Sequence, residues 1–403
     1  MTRPNLPLPR AKVLRCLTLA TAITTLPLNA ATAESKVRSF VLNNLYIAMT
    51  NEPNGCKQIS DGAIDIYRRT LSPAEQQQYA SEGKRAELGH LMADRLHFTM
   101  VNIGAESAVA PTPEQLEQLR EKNGVPAGKG AVVFNGTRFA YDTCTNPEDF
   151  PAFNTGQQPY IGKLAYGANL DGKNKASDFI NPSGEKGVDN KLIRATGCAF
   201  TSRDYGDPAT AEKAIVSREA PTLIEISNIN DEQNDNDVSV AIYSGAAPLQ
   251  LNAVGAPLAW ASFDINPDQR YINHVHGRIV NGELITDVFD FRSRMKEQIV
   301  DSYREIRSAR LRAKWNADGS IHGEIDGYHT IASIKDQYVQ STQIGANLTR
   351  MSCPALLAAI EREADGVRDP QTQRFTAISS ALRFVGVGAF IIHPEQKTAQ
   401  NAP

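Results

Sequence analysis

The stretch Gly167 to Asp178, GANLDGKNKASD, spaces its oxygen-bearing residues as a calcium loop does. Counted as twelve positions, it puts Asn169 at 3, Asp171 at 5, Gly172 at 6, the Lys173 carbonyl at 7 and Asp178 at 12. A hard dication takes about six to eight oxygens, and the glycine permits the sharp turn that aims them inward. Glu185 and Asp189, in PSGEKGVDN, lie close enough along the chain to add carboxylates. Against a cation stand Gly167 in place of the first acidic ligand, the short Asp178 in the last, and the charges of Lys173 and Lys175. The bland alternative is an Asn/Asp/Gly turn that caps its own backbone. The site carried forward is Ca²⁺ on Asn169, Asp171, Lys173, Asp178, Glu185 and Asp189.

Other constellations carry less chemistry. NINDEQNDND (228–237) is acidic, through Asp231, Glu232, Asp235 and Asp237, and reads as a solvated loop between two strands. His274 and His276 stand two apart on a strand pattern, so they share a face. With His322 or His329 as a third ligand they would suit a transition metal; as surface histidines they need no ligand. GxSxG and HExxH are absent. Ser81 and Lys84 form an isolated SxxK, and GVPAGKG (124–130) has the wrong glycine spacing for a phosphate loop. Trp260 and Trp315 are the chain's two tryptophans, and both fall in strand patterns that read as core. No catalytic set is legible.

The N-terminus reads as an address. Arg3, Arg10, Lys12 and Arg15 precede the apolar stretch CLTLATAITTLPLNA, and Ala31-Thr32-Ala33 fits small-residue cleavage before Glu34. The expectation is a signal peptide over 1–33 and a periplasmic or secreted protein. Four cysteines follow it: Cys56, Cys144, Cys198 and Cys353. In an oxidising compartment an even number points to disulfides, and the expected pairs are Cys144–Cys198 and Cys56–Cys353. The formal net charge is −3 with no basic half, which argues against nucleic acid. Past the leader no apolar run is long enough for a transmembrane helix.

These residues need a scaffold. VRSFVLNNLYIAM (37–49) has apolar spacing that suits a helix. Ser72-Pro73-Ala74-Glu75 and Thr112-Pro113-Glu114-Gln115 are helix-start signals, so 34–125 is expected to be a helical N-terminal region. Segment 126–210 reads as loop-rich and carries the calcium loop. Segment 211–345 alternates and reads as an antiparallel β domain, with hairpin turns at Asn281-Gly282 and at Asn316–Gly319. FRSRMKEQIVDSYREIRSAR (291–310) is expected to interrupt it as a helix. Segment 346–403 reads as a C-terminal helix, from CPALLAAIEREADG, and tail; FTAISSALRFVGVGAFIIHP (375–394) suits helix or buried strand. The expected class is α+β, with a mostly antiparallel β-sandwich or jelly-roll-like core.

Asp171-Gly172, Ser183-Gly184-Glu185, Gly187-Val188-Asp189-Asn190, Arg194 and Gly197-Cys198 form one signature. Ala364-Asp365-Gly366, Asp369-Pro370 and Thr376–Ala381 form another. Over about 160–392 the chain resembles an uncharacterised family of exported proteobacterial proteins. The resemblance implies export and a shared fold, and no activity. The function expected is an exported, non-catalytic binding protein stabilised by disulfides and calcium, its ligand or envelope partner unnamed. The alternatives are a secreted β-sandwich enzyme acting on a polysaccharide or other polymer, and a structural component of an envelope complex. Paired carboxylates about 5–9.5 Å apart in a cleft would mark the enzyme. Exposed aromatics on a shallow face would mark a carbohydrate binder, and a large dry apolar patch a complex.

Overall fold

A two-residue period runs through the middle of the chain. Val238, Val240 and Ile242 are buried in one segment, Leu311 and Ala313 in another, Ile321 and Ile325 in a third. Alternate side chains of a strand point to opposite faces, so each segment offers one apolar face. The structure is a computed structural model that describes residues 35–50, 52–60, 72–74, 77, 131–134, 137–140, 156–199, 220–297, 300–337 and 352–393. Its strands are β1 (Lys36–Ile47), β2 (Ala131–Phe134), β3 (Thr137–Ala140), β4 (Phe179–Ile180), β5 (Lys186–Val188), β6 (Thr222–Ile229), β7 (Asn234–Ser244) and β8 (Ser262–Asp264). There follow β9 (Ile272–Val280), β10 (Glu283–Thr286), β11 (Phe289–Glu297), β12 (Val300–Trp315), β13 (Ser320–Thr330), β14 (Gly366–Arg368), β15 (Phe375–Gly388) and β16 (Phe390–Ile392). Helices are α1 (Lys191–Thr196), α2 (331–337) and α3 (Cys353–Glu363).

Eight strands pair antiparallel in the order β1-β6-β7-β9-β10-β12-β13-β15. β15 then pairs back onto β1, with Phe40 opposite Gly388 and Ile47 opposite Leu382. This is a closed antiparallel barrel in a mostly β structure with few helices, not the expected α+β class with a sandwich or jelly-roll core. The difference lies in the last contact: β1 and β15 come from opposite ends of the described chain, and local alternation carries no record of which edges meet. An eight-stranded barrel is just wide enough for side chains to fill. Phe40, Leu42, Ile226, Val240, Leu311 and Phe384 belong to the cluster that fills this one.

Three expectations for elements change. Residues 36–47 form strand β1, not a helix. Both of its faces are covered: Phe40 and Leu42 point into the barrel, and Val41 joins an outer cluster with Phe263 and Ile391. A run buried on both sides loses the alternation that marks a strand. Residues 291–310 form the β11–β12 hairpin instead of a helix. The inward positions there include Ser293, Ser302 and Arg304, all buried, so the apolar period is missing. Residues 375–388 resolve as strand β15. The helix expected to start at Ser72-Pro73 is seen at residues 73, 74 and 77; the rest of it, and the helix expected from Thr112, fall outside the described residues. α3 forms as expected, with Ser352 capping and Pro354 in its first turn. The barrel thus draws on three of the expected segments, and Ser35–Pro403 makes one compact unit.

Between β9 and β11 a side chain replaces the ladder. The Asn273 amide donates to the Ile242 and Arg292 carbonyls, each at 3.0 Å, and its oxygen accepts from Arg292 N at 2.8 Å. A 7 % exposed residue therefore satisfies the Arg292 N–H and carbonyl, on the edge of β11 that has no ladder with β9. The helices α1, α2 and α3 share an apolar cluster through Leu192, Ile334, Leu356 and Ile360, and it meets β15 at Ile378. Segment 156–190 lies against β12, β13 and β15. Arg312 anchors it, bonding Glu185 at 3.1 Å, the Gly167 carbonyl at 3.2 Å and Asp326 at 3.1 Å. The disulfide joins Cys56 to Cys198, so neither expected pair forms. Segment 52–60 folds back onto the end of α1, where Ser60 N donates to the Cys198 carbonyl at 2.8 Å. Cys353 is also disulfide-bonded, with Cys56 already taken. No described helix is long and apolar enough to cross a membrane.

Candidate functional site

Tight turns close one end of the barrel. Asn281 and Gly282 both have positive φ, 51° and 74°, which the two-residue hairpin between β9 and β10 requires. The β12–β13 turn ends on Gly319, and Asp318 caps it by accepting from Ser320 N at 2.9 Å. Because these turns are short, they leave a pocket of about 490 Å³ beside them. Phe40 and Trp315 line it with ring centroids 6.4 Å apart; Phe40 is buried. Trp260 and Phe390 line it too, 6.1 Å apart, and are 51 % and 55 % exposed. Both tryptophans of the chain therefore meet in one pocket, and Trp260 is not the core residue its sequence context suggests.

Trp260 is held in an unusual way. Its φ is 63°, a left-handed conformation that is a genuine outlier for a bulky residue. Such residues cost about 1–3 kcal/mol and persist only where the surroundings over-determine them. Here the Trp260 N–H donates to the Gly388 carbonyl at 2.6 Å. The indole lies against two glycines: a Cβ on Gly319 would come 2.7 Å from the ring, and one on Gly388 2.6 Å. No side chain but hydrogen fits beneath it.

The rim is polar. Glu232, from the β6–β7 turn, accepts from Arg38 at 2.7 Å and from Lys36 at 3.4 Å. Partial desolvation opposes its ionisation, but the hydrogen bond and charge of Arg38, with Lys36, outweigh it and hold the carboxyl below its usual range. Gln233 and Asn316 complete this side. The rest of the acidic stretch caps itself: Asp235 accepts from Asn230 N at 2.7 Å, and Asp231 from Gln233 N at 2.8 Å. The sequence signal for this site was slight: a tryptophan next to a hairpin turn, and one carboxylate in an acidic loop.

The expected calcium residues are neighbours, and each makes a hydrogen bond or ion pair within the protein, although the Asn169 Oδ1 has no hydrogen-bond partner among the described residues. Asn169 donates to the Lys173 carbonyl at 2.7 Å, the oxygen assigned to position 7. Asp171 accepts from Lys173 N at 2.9 Å and pairs with the Lys175 ammonium, which lowers its pKa. Asp178 accepts from Lys175 N at 2.6 Å, and Glu185 pairs with Arg312. Asp189, 5 % exposed, accepts from Leu170 N at 2.8 Å; burial raises its pKa. Among the described residues no group of three or more His, Cys, Asp or Glu converges on a metal position. The histidines are likewise apart. His274 and His276 are exposed on β9, and His276 meets Asp237 at 3.1 Å. His329 is 1 % exposed, and burial, with Arg304 nearby, drives its pKa down to about 3. Neither of its ring nitrogens has a hydrogen-bond partner among the described residues.

No protein-family model, curated protein or solved structure matches the chain.

Proposed function

We propose that this chain is an exported, non-catalytic binding protein whose ligand sits in the two-tryptophan pocket. The observation that carries the reading is Trp260, strained at φ 63° and half exposed above Gly319 and Gly388. Folding gains little from an indole left half in water, and backbone strain concentrates at ligand sites. A concave pocket with aromatic walls and a few convergent polar groups is the usual form of a small-molecule site. Glu232 favours binding over acid catalysis. A general acid needs a pKa near working pH, whereas Arg38 and Lys36 hold this carboxyl ionised as an acceptor. Export rests on the N-terminal layout and agrees with the Cys56–Cys198 bridge.

Tryptophan emission tests the reading directly, because both tryptophans line the pocket. A bound ligand is expected to change the emission saturably, and Trp260→Ala to weaken its affinity. An affinity unaltered by Trp260→Ala would remove the pocket from consideration.

A further inference from the structure

On that reading of the pocket, we infer that its ligand is an uncharged saccharide longer than a single ring. The pocket is amphipathic across its width. Trp260 and Phe390 offer exposed aromatic faces, while Arg38, Glu232, Gln233 and Asn316 offer both donors and acceptors. A pyranose has the same division: its C–H face packs on an aromatic ring, and its equatorial edge carries hydroxyls that donate and accept. Trp260 and Phe390, both half exposed, give one platform, and the partly buried Trp315, with Phe40 buried against it, gives a second aromatic wall, so more than one sugar ring finds an aromatic face.

Other ligand classes fit less well. An acyl chain needs a closed apolar cavity, and the interior that an eight-stranded barrel can offer is filled here by Ile226, Leu311, Phe384 and their neighbours. A phosphate or carboxylate ligand needs uncommitted cations. Lys36 and Arg38 are both paired with Glu232, which stays ionised between them, so an anion would meet a carboxylate.

The test follows tryptophan emission of the full exported chain with glucose, neutral oligosaccharides of increasing length, sialylated and sulfated oligosaccharides, palmitate and ATP. A neutral oligosaccharide is expected to change the emission saturably and to bind about tenfold more tightly than glucose. Trp260→Ala and Glu232→Gln are each expected to weaken it about tenfold. Gly388→Ala, which lifts the indole from its bed, should weaken it as well. If palmitate, ATP or an acidic oligosaccharide changes the emission and no neutral one does, the assignment to an uncharged saccharide is wrong and the pocket stands. If no probe changes it, both fall.

Discussion

Asp326 lies on the outward face of β13, beneath the 156–190 segment, with none of its surface exposed. One carboxylate oxygen accepts from Arg312 at 3.1 Å; the other has no hydrogen-bond partner among the described residues. Arg312 also faces Glu185 and Glu324, and Arg383 meets Glu324 at 3.7 Å. Burial pushes the Asp326 pKa up to about 7; Glu324 and Glu185 add to the rise, and Arg312 opposes it. The folded chain therefore keeps a proton on Asp326 that the unfolded chain releases near pH 3.9. Between those values the native state binds more protons, so this group's contribution is full below about pH 4 and fades as pH rises to about 7. A rise from 3.8 to about 7 corresponds to about 4 kcal/mol at 1.36 kcal/mol per unit. Asn is isosteric with the protonated acid and cannot ionise. Urea unfolding of wild type and Asp326→Asn, disulfides intact, across pH 4 to 8 measures the difference. The variant should gain on wild type by about 4 kcal/mol between pH 4 and pH 7 and hold that gain above it. A difference that stays constant, or that reverses, would refute the buried-proton account.

Further predictions rest on separate contacts. Asn273→Ala should cost about 2–4 kcal/mol in urea unfolding, because it orphans the Arg292 N–H and carbonyl where β9 and β11 lack a ladder and removes a bond to the Ile242 carbonyl; a loss under about 1 kcal/mol would mean that water replaces the amide. Replacing Cys56 and Cys198 by serine opens a separation of 142 residues and should cost about 5 kcal/mol in the chain-entropy model, read as a lowered urea midpoint. Calcium binding at the 167–178 loop, proposed from its spacing, must displace the Lys175 ammonium from Asp171. Lys175→Ala should therefore show a larger rise in melting temperature with millimolar Ca²⁺ than wild type, and equal responses would exclude Asp171 as a ligand. Mass spectrometry of a periplasmic extract should find Glu34 as the first residue, and an intact Met1 would count against cleavage there.

Local physics made parts of this protein legible in advance. Alternation marked β7, β9, β13 and the end of β12 from Leu311 onward, since each sends its alternate apolar residues into the barrel. Asn281-Gly282 and Asn316–Gly319 announced their turns because few other residues tolerate the positive φ found at Asn281, Gly282 and Gly319. Ser352 and Pro354 announced α3 by satisfying or removing orphan donors. All of these signals act within a few residues along the chain. What decides the barrel acts across it. β1 loses its strand period because β8, β16 and the barrel interior cover both faces. The β11–β12 hairpin loses its period because buried Ser293, Ser302 and Arg304 point inward. Closure depends on Phe40 meeting Gly388, and the choice of Cys198 over Cys353 for Cys56 depends on which loop folds back onto α1. The candidate site belongs to this second group. Trp260, Gly319 and Gly388 come from three separate segments, and only their packing leaves an indole strained and half in water rather than buried.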